Sequence, residues 1–298
     1  MKVRPCAYAG SFYPAEPNSL LRILEHLFSL CDEYNKSQAL LYAKGDECPP
    51  HLSTEIAGKV YGIISPHAGY IYSGLIAAIG FCTLGKKGNI SDPEFTGTII
   101  IIAPGHKTPY SSVSVCEWET PLGNIKTDEQ LANAISEQSG ISINEQVHLH
   151  EHGIEVILPF IKYRFPNAHI IAIQLGNQRL EPSIALGESI ASCIRDAGKK
   201  LGEDVYVIAS SDGSHYIPHN EAKKCDIYTL ATLSNLDCCE FYEQAKHTTM
   251  CGYGPTIAMV TAAKACGAEQ GVCLAYATSG DVTGDHTQVV GYATLAVI

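Results

Sequence analysis

Three histidines follow strand-like apolar runs within a few residues. His67 comes after Val60 to Pro66, His106 after Gly97 to Gly105, and His215 after Val205 to Ser214. In an open α/β sheet, ligands and catalytic groups collect outside the carboxyl ends of the strands. Imidazole titrates near neutrality and is the commonest metal ligand. Three imidazoles delivered independently to that edge point to one shared metal or acid–base pocket.

The first two share a local pattern. In Ser65-Pro66-His67-Ala68-Gly69-Tyr70 a proline stops the strand, and small residues leave room around the ring before a helix begins near Ser73. Ala103-Pro104-Gly105-His106 repeats the order of strand, proline and histidine. A lone histidine at such a place is more often structural, so it is the repetition that argues for function. The third cluster, Ser210-Ser211-Asp212-Gly213-Ser214-His215, adds a carboxylate. An aspartate fixes a histidine tautomer and raises its basicity, as a general base or a group behind a metal ligand requires. The competing reading is a helix N-cap beside a surface histidine.

Two further segments carry reactive side chains. In His148-Leu149-His150-Glu151-His152-Gly153-Ile154-Glu155, the side chains of His152 and Glu155 are three apart and share a helix face, suited to a metal or a proton relay. The order is not the His-Glu-x-x-His of zinc peptidases, and His148 and His150 read as a solvated approach loop. In Met250-Cys251-Gly252-Tyr253-Gly254-Pro255, a cysteine precedes a helix that Pro255 suits at its first position. A thiol at a helix N-terminus has a lowered pKa and favours the thiolate, which binds metal or attacks as a nucleophile.

The elements that must position these groups alternate. Strands are expected at Val60 to Ile64, Thr98 to Ala103, Val113 to Cys116, His169 to Leu175, Asp204 to Ala209, Val272 to Tyr276 and Val289 to Val297. Helices are expected at Ser19 to Tyr34, Ser73 to Leu84, Asp128 to Ser139, His152 to Tyr163, Pro182 to Lys200, Ala222 to Leu236 and Pro255 to Cys266. That alternation is an α/β fold: one domain over 1–298 with a central, mostly parallel sheet flanked by helices. The last two strands lack room for a crossover helix between them, so their pairing is antiparallel and the sheet is mixed. Residues 35–58 and 86–96 read as loops.

Composition removes several classes. Hydrophobic residues make up 46% and charged residues 17% of the 298, enough apolar material for a large core and too little charge for a disordered chain. A formal charge of −11 opposes binding to a polyphosphate backbone, so nucleic acid is not an expected partner. No signal-peptide pattern opens the sequence and no apolar run approaches the ~20 residues that span a bilayer, which makes the cytoplasm the expected compartment. The 12 cysteines include no Cys-x-x-Cys spacing and read mainly as buried thiols.

Taken together, the motifs resemble the Memo family, which is similar in fold to the LigB-type class III extradiol ring-cleaving dioxygenases. The resemblance runs from Arg4 and Ala9-Gly10-Ser11-Phe12-Tyr13-Pro14 through Pro66-His67-Ala68-Gly69-Tyr70, Pro104-Gly105-His106 and Thr120-Pro121-Leu122-Gly123. It continues through Glu151-His152-Gly153-Ile154-Glu155, Ser210-Ser211-Asp212 with His215, Cys251-Gly252 and Val290-Gly291-Tyr292-Ala293. It implies a metal pocket formed by His67, His106 and Cys251 and lined by Asp212 and His215, with His152 and Glu155 behind them. The dioxygenases use two histidines and a carboxylate, so a cysteine as third ligand softens the site towards iron or copper, with zinc also compatible. Gly153 and Gly105 stand where relatives often carry Ser, or Asn or Ser.

Three functions are compatible with this pattern. The first is a redox-active metal protein with a dioxygenase-like pocket for a small aromatic substrate, His215 and Asp212 handling protons. The second is a non-enzymatic adaptor in signalling and cell motility that grips a phosphotyrosine or acidic peptide. The third is a metal-dependent hydrolase.

Overall fold

Runs of β-branched and aliphatic residues build the centre of the molecule. The computed structural model describes residues 2–43, 56, 58–86 and 90–298, with 32–43 described for the backbone alone. In chain order the elements are β1 (Val3–Arg4), α1 (Pro17–Ala43), β2 (Gly62–Ser65), α2 (Tyr70–Cys82), β3 (Thr98–Pro104), β4 (Ser112–Ser114) and β5 (Glu117–Trp118). Then come α3 (Glu129–Ser139), α4 (Glu145–His148), α5 (His152–Glu155), α6 (Leu158–Arg164), β6 (His169–Leu175), α7 (Leu180–Asp196), β7 (Val205–Ser210) and β8 (His215–Ile217). The chain ends with α8 (His219–Ala231), α9 (Cys238–Ala245), α10 (Tyr253–Ala265), β9 (Gly271–Thr278), α11 (Ser279–Thr283) and β10 (Val289–Val297).

Among the described residues the main sheet runs β4-β6-β3-β7-β2-β10-β8, with β9 also paired to β10. The central strands β6, β3, β7 and β2 are parallel. Strands β4, β8, β9 and β10 pair antiparallel with their neighbours. This is the mixed sheet flanked by helices that the alternation of runs leads one to expect, including the antiparallel β9–β10 pair, whose connection holds only the short α11.

The period of two along a strand divides the core. On β3, Ile99, Ile101 and Ala103 join the apolar layer under α1, α2 and α6, while Ile100 and Ile102 join the layer under α3, α7, α9 and α10. On β7 the same alternation sends Tyr206 and Ile208 to one side and Val205, Val207 and Ala209 to the other. A strand buried on both faces reads as an unbroken apolar run, which is why β3, β6 and β7 are legible.

Several boundaries differ from expectation. Helix α1 continues to Ala43, so 35–43 are helical where a loop is expected; residues 44–55 and 57 of that stretch, and 87–89 of the second loop, lie outside the described residues. The helix expected over His152 to Tyr163 is two short ones, because Pro159 has no amide N–H to continue α5 and instead sits in the first turn of α6. Among the described residues no helix is long and apolar enough to cross a membrane.

Strands β3, β7 and β2 are neighbours in the sheet and end in sequence at Pro104, Ser210 and Ser65. Two residues beyond each end lie His106, Asp212 and His67. The fold therefore gathers three of the expected groups at one point on the carboxyl edge of the sheet.

Candidate metal centre

One ligand atom from each of His67, His106 and His152 lies within 4.8 Å of the other two. The ring centroids are 5.1 Å apart for His67 and His106, 5.2 Å for His67 and His152, and 4.3 Å for His106 and His152. His67 is buried, His152 half-buried, and the His106 ring reaches solvent. Cys251, expected as the third ligand, places its Sγ 3.4 Å from His67 Nε2, beside the trio.

Hydrogen bonds fix the tautomers. Ser210 Oγ donates to the Gly153 carbonyl at 2.5 Å, so at 2.6 Å from His67 Nδ1 it must accept. His67 therefore carries its proton on Nδ1 and offers the Nε2 lone pair. Glu151 Oε1 accepts from His106 Nδ1 at 2.7 Å and lies 3.4 Å from His152 Nδ1. A single buried carboxylate thus stands behind two of the three rings, the arrangement that orients metal-bound imidazoles and raises their basicity. Glu151 is itself held by the amide N–H groups of His106 (2.9 Å) and Gly153 (2.9 Å), the second of which makes it the N-cap of α5.

The Asp212 loop closes the other side. Asp212 Oδ1 accepts from the His67 amide N–H at 2.8 Å, and Oδ2 is 3.9 Å from His67 Nε2. The Asp212 amide N–H donates to Cys251 Sγ at 3.2 Å. This close approach needs Gly252, where a Cβ would meet the Ser210 carbonyl oxygen at 2.4 Å and the Ser211 Cβ at 2.5 Å. Gly105, before His106, is likewise required: a Cβ there would meet the Thr108 carbonyl oxygen at 2.4 Å.

Burial sets the charge states. His67 is held down to about 3, by burial first and by His106 second. His152 is held to about 4, by burial and then by His67. Burial raises the Glu151 carboxyl, but the His106 hydrogen bond and charge and the backbone N–H groups outweigh it and hold it at about 2. The centre at neutral pH is therefore two uncharged imidazoles, His67 and His152, and the charged carboxylate Glu151. Burial, then the Asp212 charge, pushes the Cys251 thiol well above its usual range. The lowered thiol pKa expected from a helix N-terminus is not what the structure gives, because desolvation exceeds the dipole of α10.

The other expected residues fall elsewhere. His215 does not lean on Asp212: its Nδ1 donates to the Thr249 carbonyl at 2.9 Å and its amide N–H to Thr249 Oγ1 at 2.6 Å, leaving Nε2 free. Glu155 shares no role with His152. Its carboxylate pairs with Arg4 and accepts from the amides of Ala7 (3.1 Å) and Tyr8 (2.7 Å) and the Tyr13 hydroxyl (2.7 Å), an anchor for the N-terminal segment. That segment lays Tyr8 and Phe12 against the His152 ring, at 5.6 and 5.1 Å between centroids. His148, expected in a solvated loop, is fully buried against Trp118, while His150 is exposed. The residues that sequence reasoning passes over are Glu151 and Ser210; the signal for Glu151 is a carboxylate that directly precedes a histidine at a helix start.

Neutral imidazoles with free Nε2 atoms and a thiol alongside suit a borderline or soft transition ion, held at about 2.0–2.1 Å from nitrogen. The donors present therefore fit iron, copper or zinc better than a hard cation.

Known proteins bear on the chain as a whole. The family model for Memo-like proteins matches residues 4–296. A MEMO1 family protein of Methanothermobacter thermautotrophicus is 38% identical over 300 residues, covering 99% of this chain and 100% of the relative. One of Methanocaldococcus jannaschii is 38% identical over 306 residues, covering 99% of each. One of Methanococcoides burtonii is 39% identical over 300 residues, covering 99% of this chain and all of the relative. A match of that extent leaves no large segment to another architecture, and the chain belongs to the Memo-like family.

Proposed function

We propose that the chain is a metal-dependent redox protein that holds iron or copper on His67, His106 and His152, with Cys251 completing the set, and takes a small aromatic substrate in a dioxygenase-like pocket. One observation carries this reading: one ligand nitrogen of each histidine lies within 4.8 Å of the other two, and the hydrogen bonds behind His67 and His106 occupy their Nδ1 atoms and leave the Nε2 lone pairs for a metal. Bound there, a redox-active ion would supply Lewis acidity and electron exchange.

The protein supplies the rest. Glu151 and Ser210 orient the rings. His215 Nε2, kept free by the Thr249 carbonyl, can accept a proton from a substrate hydroxyl. Tyr8 and Phe12 form an aromatic wall against His152. The peptide-adaptor reading needs protonated imidazoles as anion donors, and burial keeps His67 and His152 neutral, which favours the metal over the phosphopeptide.

The test is anaerobic reconstitution with Fe(II), Cu(I) or Zn(II), followed by metal analysis of the wild type and of His67→Ala, His106→Ala, His152→Ala and Cys251→Ser. The wild type is expected to hold one equivalent of iron or copper and each histidine variant to lose most of it. Equal retention by all of them removes the metal site.

A further inference from the structure

Resting on that reading of the site and deepening it, we propose that Tyr216 is a ligand-contacting residue, its ring held at the mouth of the centre by a strained bulge to face the aromatic ring of the bound molecule. In the β8–β10 ladder, His215 pairs with Val290 and Ile217 with Val289, so Tyr216 is the extra residue between them. Its φ is +59°, in the left-handed region that glycine takes without strain and that tyrosine, with its Cβ, does not. Bulges re-aim side chains beside active sites, and a non-glycine residue kept in such a conformation marks a place where function outweighs local stability.

The side chain contributes little to the fold. Tyr216 is 71% exposed, the highest exposure among the large apolar side chains described as exposed, so packing does not explain a tyrosine there. Its surroundings point to a ligand instead. The ring stands edge-on to His215 at 5.8 Å between centroids. Strand β10 runs antiparallel to β2 and pairs through its N-terminal end with β8, so Tyr216 lies at the same edge of the sheet as the His67 and Asp212 loops. An exposed ring beside the imidazole of His215 can stack on or meet edge-to-face an aromatic molecule whose polar end enters the histidine centre.

The experiment uses 4-nitrocatechol as the probe, titrated anaerobically by calorimetry into Fe(II)-loaded and metal-free protein, for the wild type, Tyr216→Gly and Tyr216→Phe. Tyr216→Gly is expected to keep its iron, to raise the melting temperature of the metal-free protein by about 2 °C or more as the strain is relieved, and to bind the probe about tenfold more weakly. Tyr216→Phe keeps the ring and is expected to bind like the wild type. A purely structural residue cannot give the pair of opposite effects in the glycine variant. Unchanged affinity in Tyr216→Gly overturns the proposal, as does a wild type that holds iron and binds no 4-nitrocatechol. A wild type that retains no iron overturns the metal reading instead, and the metal-free titration then decides for or against Tyr216 by the same comparison.

Discussion

At the scale of single residues, the centre depends on which nitrogen of each histidine is left free. Ser210 settles this for His67 by spending its own proton on the Gly153 carbonyl. Glu151 does the same for His106 and reaches His152. Carboxylates behind metal-bound imidazoles typically contribute 10–100-fold to affinity, so Glu151→Gln is expected to weaken metal binding by about that factor in chelator competition. Unchanged affinity would show that Glu151 only caps α5. Cys251 gives a second expectation. Burial keeps its thiol protonated at neutral pH, whereas a metal ligand must be thiolate, so ligation releases a proton. Metal-binding enthalpy of the wild type should then vary with the ionisation enthalpy of the buffer, equivalent to about one proton, and metal affinity should rise with pH. Cys251→Ser should lose that dependence; if it does not, the thiol stands outside the coordination sphere.

At the scale of elements, the short α4 and α5 cannot hold the centre by themselves, and Arg4 does it for them. Its guanidinium donates to the carbonyls of Pro5 (2.9 Å), His148 (3.1 Å), Leu149 (3.2 Å) and Glu151 (3.0 Å) while pairing with Glu155. Both partners of the pair are fully buried. Removing one member leaves a buried charge unpaired, so Arg4→Met or Glu155→Gln is expected to lose about 3–5 kcal/mol in urea unfolding. Arg4→Met combined with Glu155→Gln should lose less than the sum of the two single losses, because no charge is then stranded. Strict additivity would mean that the two side chains act independently. Glu155 was legible in the sequence as important but not in its role: a spacing of three on a helix predicts a shared face, and α5 is too short to give one.

At the scale of the whole molecule, buried neutral histidines make stability depend on pH. His67 at about 3, His148 at about 4 and His152 at about 4 all lie below the usual 6.5. The unfolded chain therefore binds more protons than the folded one between pH 6.5 and those values. The stability that these groups allow is fully present above pH 6.5 and is lost as pH falls through that window, each contributing a slope of up to about 1.4 kcal/mol per pH unit. Glu151, held at about 2 against a usual 4.5, adds a loss in the same direction from pH 4.5 downward. Urea midpoints of the metal-free protein should therefore decline steadily below pH 6.5, and His148→Phe, away from the metal centre, should flatten the upper part of that decline. A midpoint constant from pH 7 to 5 would contradict the burial of these rings. Legibility at this scale followed burial as well. Strands β3, β6 and β7, covered on both faces, read as unbroken apolar runs, while β1, β5 and β8 at two or three residues carry no period to detect.

What the sequence determined by itself was the alternation of elements, the antiparallel end of the sheet, and the delivery of His67, His106 and Asp212 to strand ends. Each of these rests on local pattern: apolar period, prolines that stop strands, and connections too short to cross over. The tertiary structure alone decided that His152 joins the cluster while Glu155 turns away to Arg4, and that Asp212 supports the His67 loop rather than His215. It also decided that Glu151 stands behind two imidazoles and that the Cys251 thiol stays protonated. These outcomes depend on strand order and on desolvation. Strand order makes neighbours of residues more than a hundred positions apart, and desolvation changes the charge of a side chain whose sequence neighbours are unaltered.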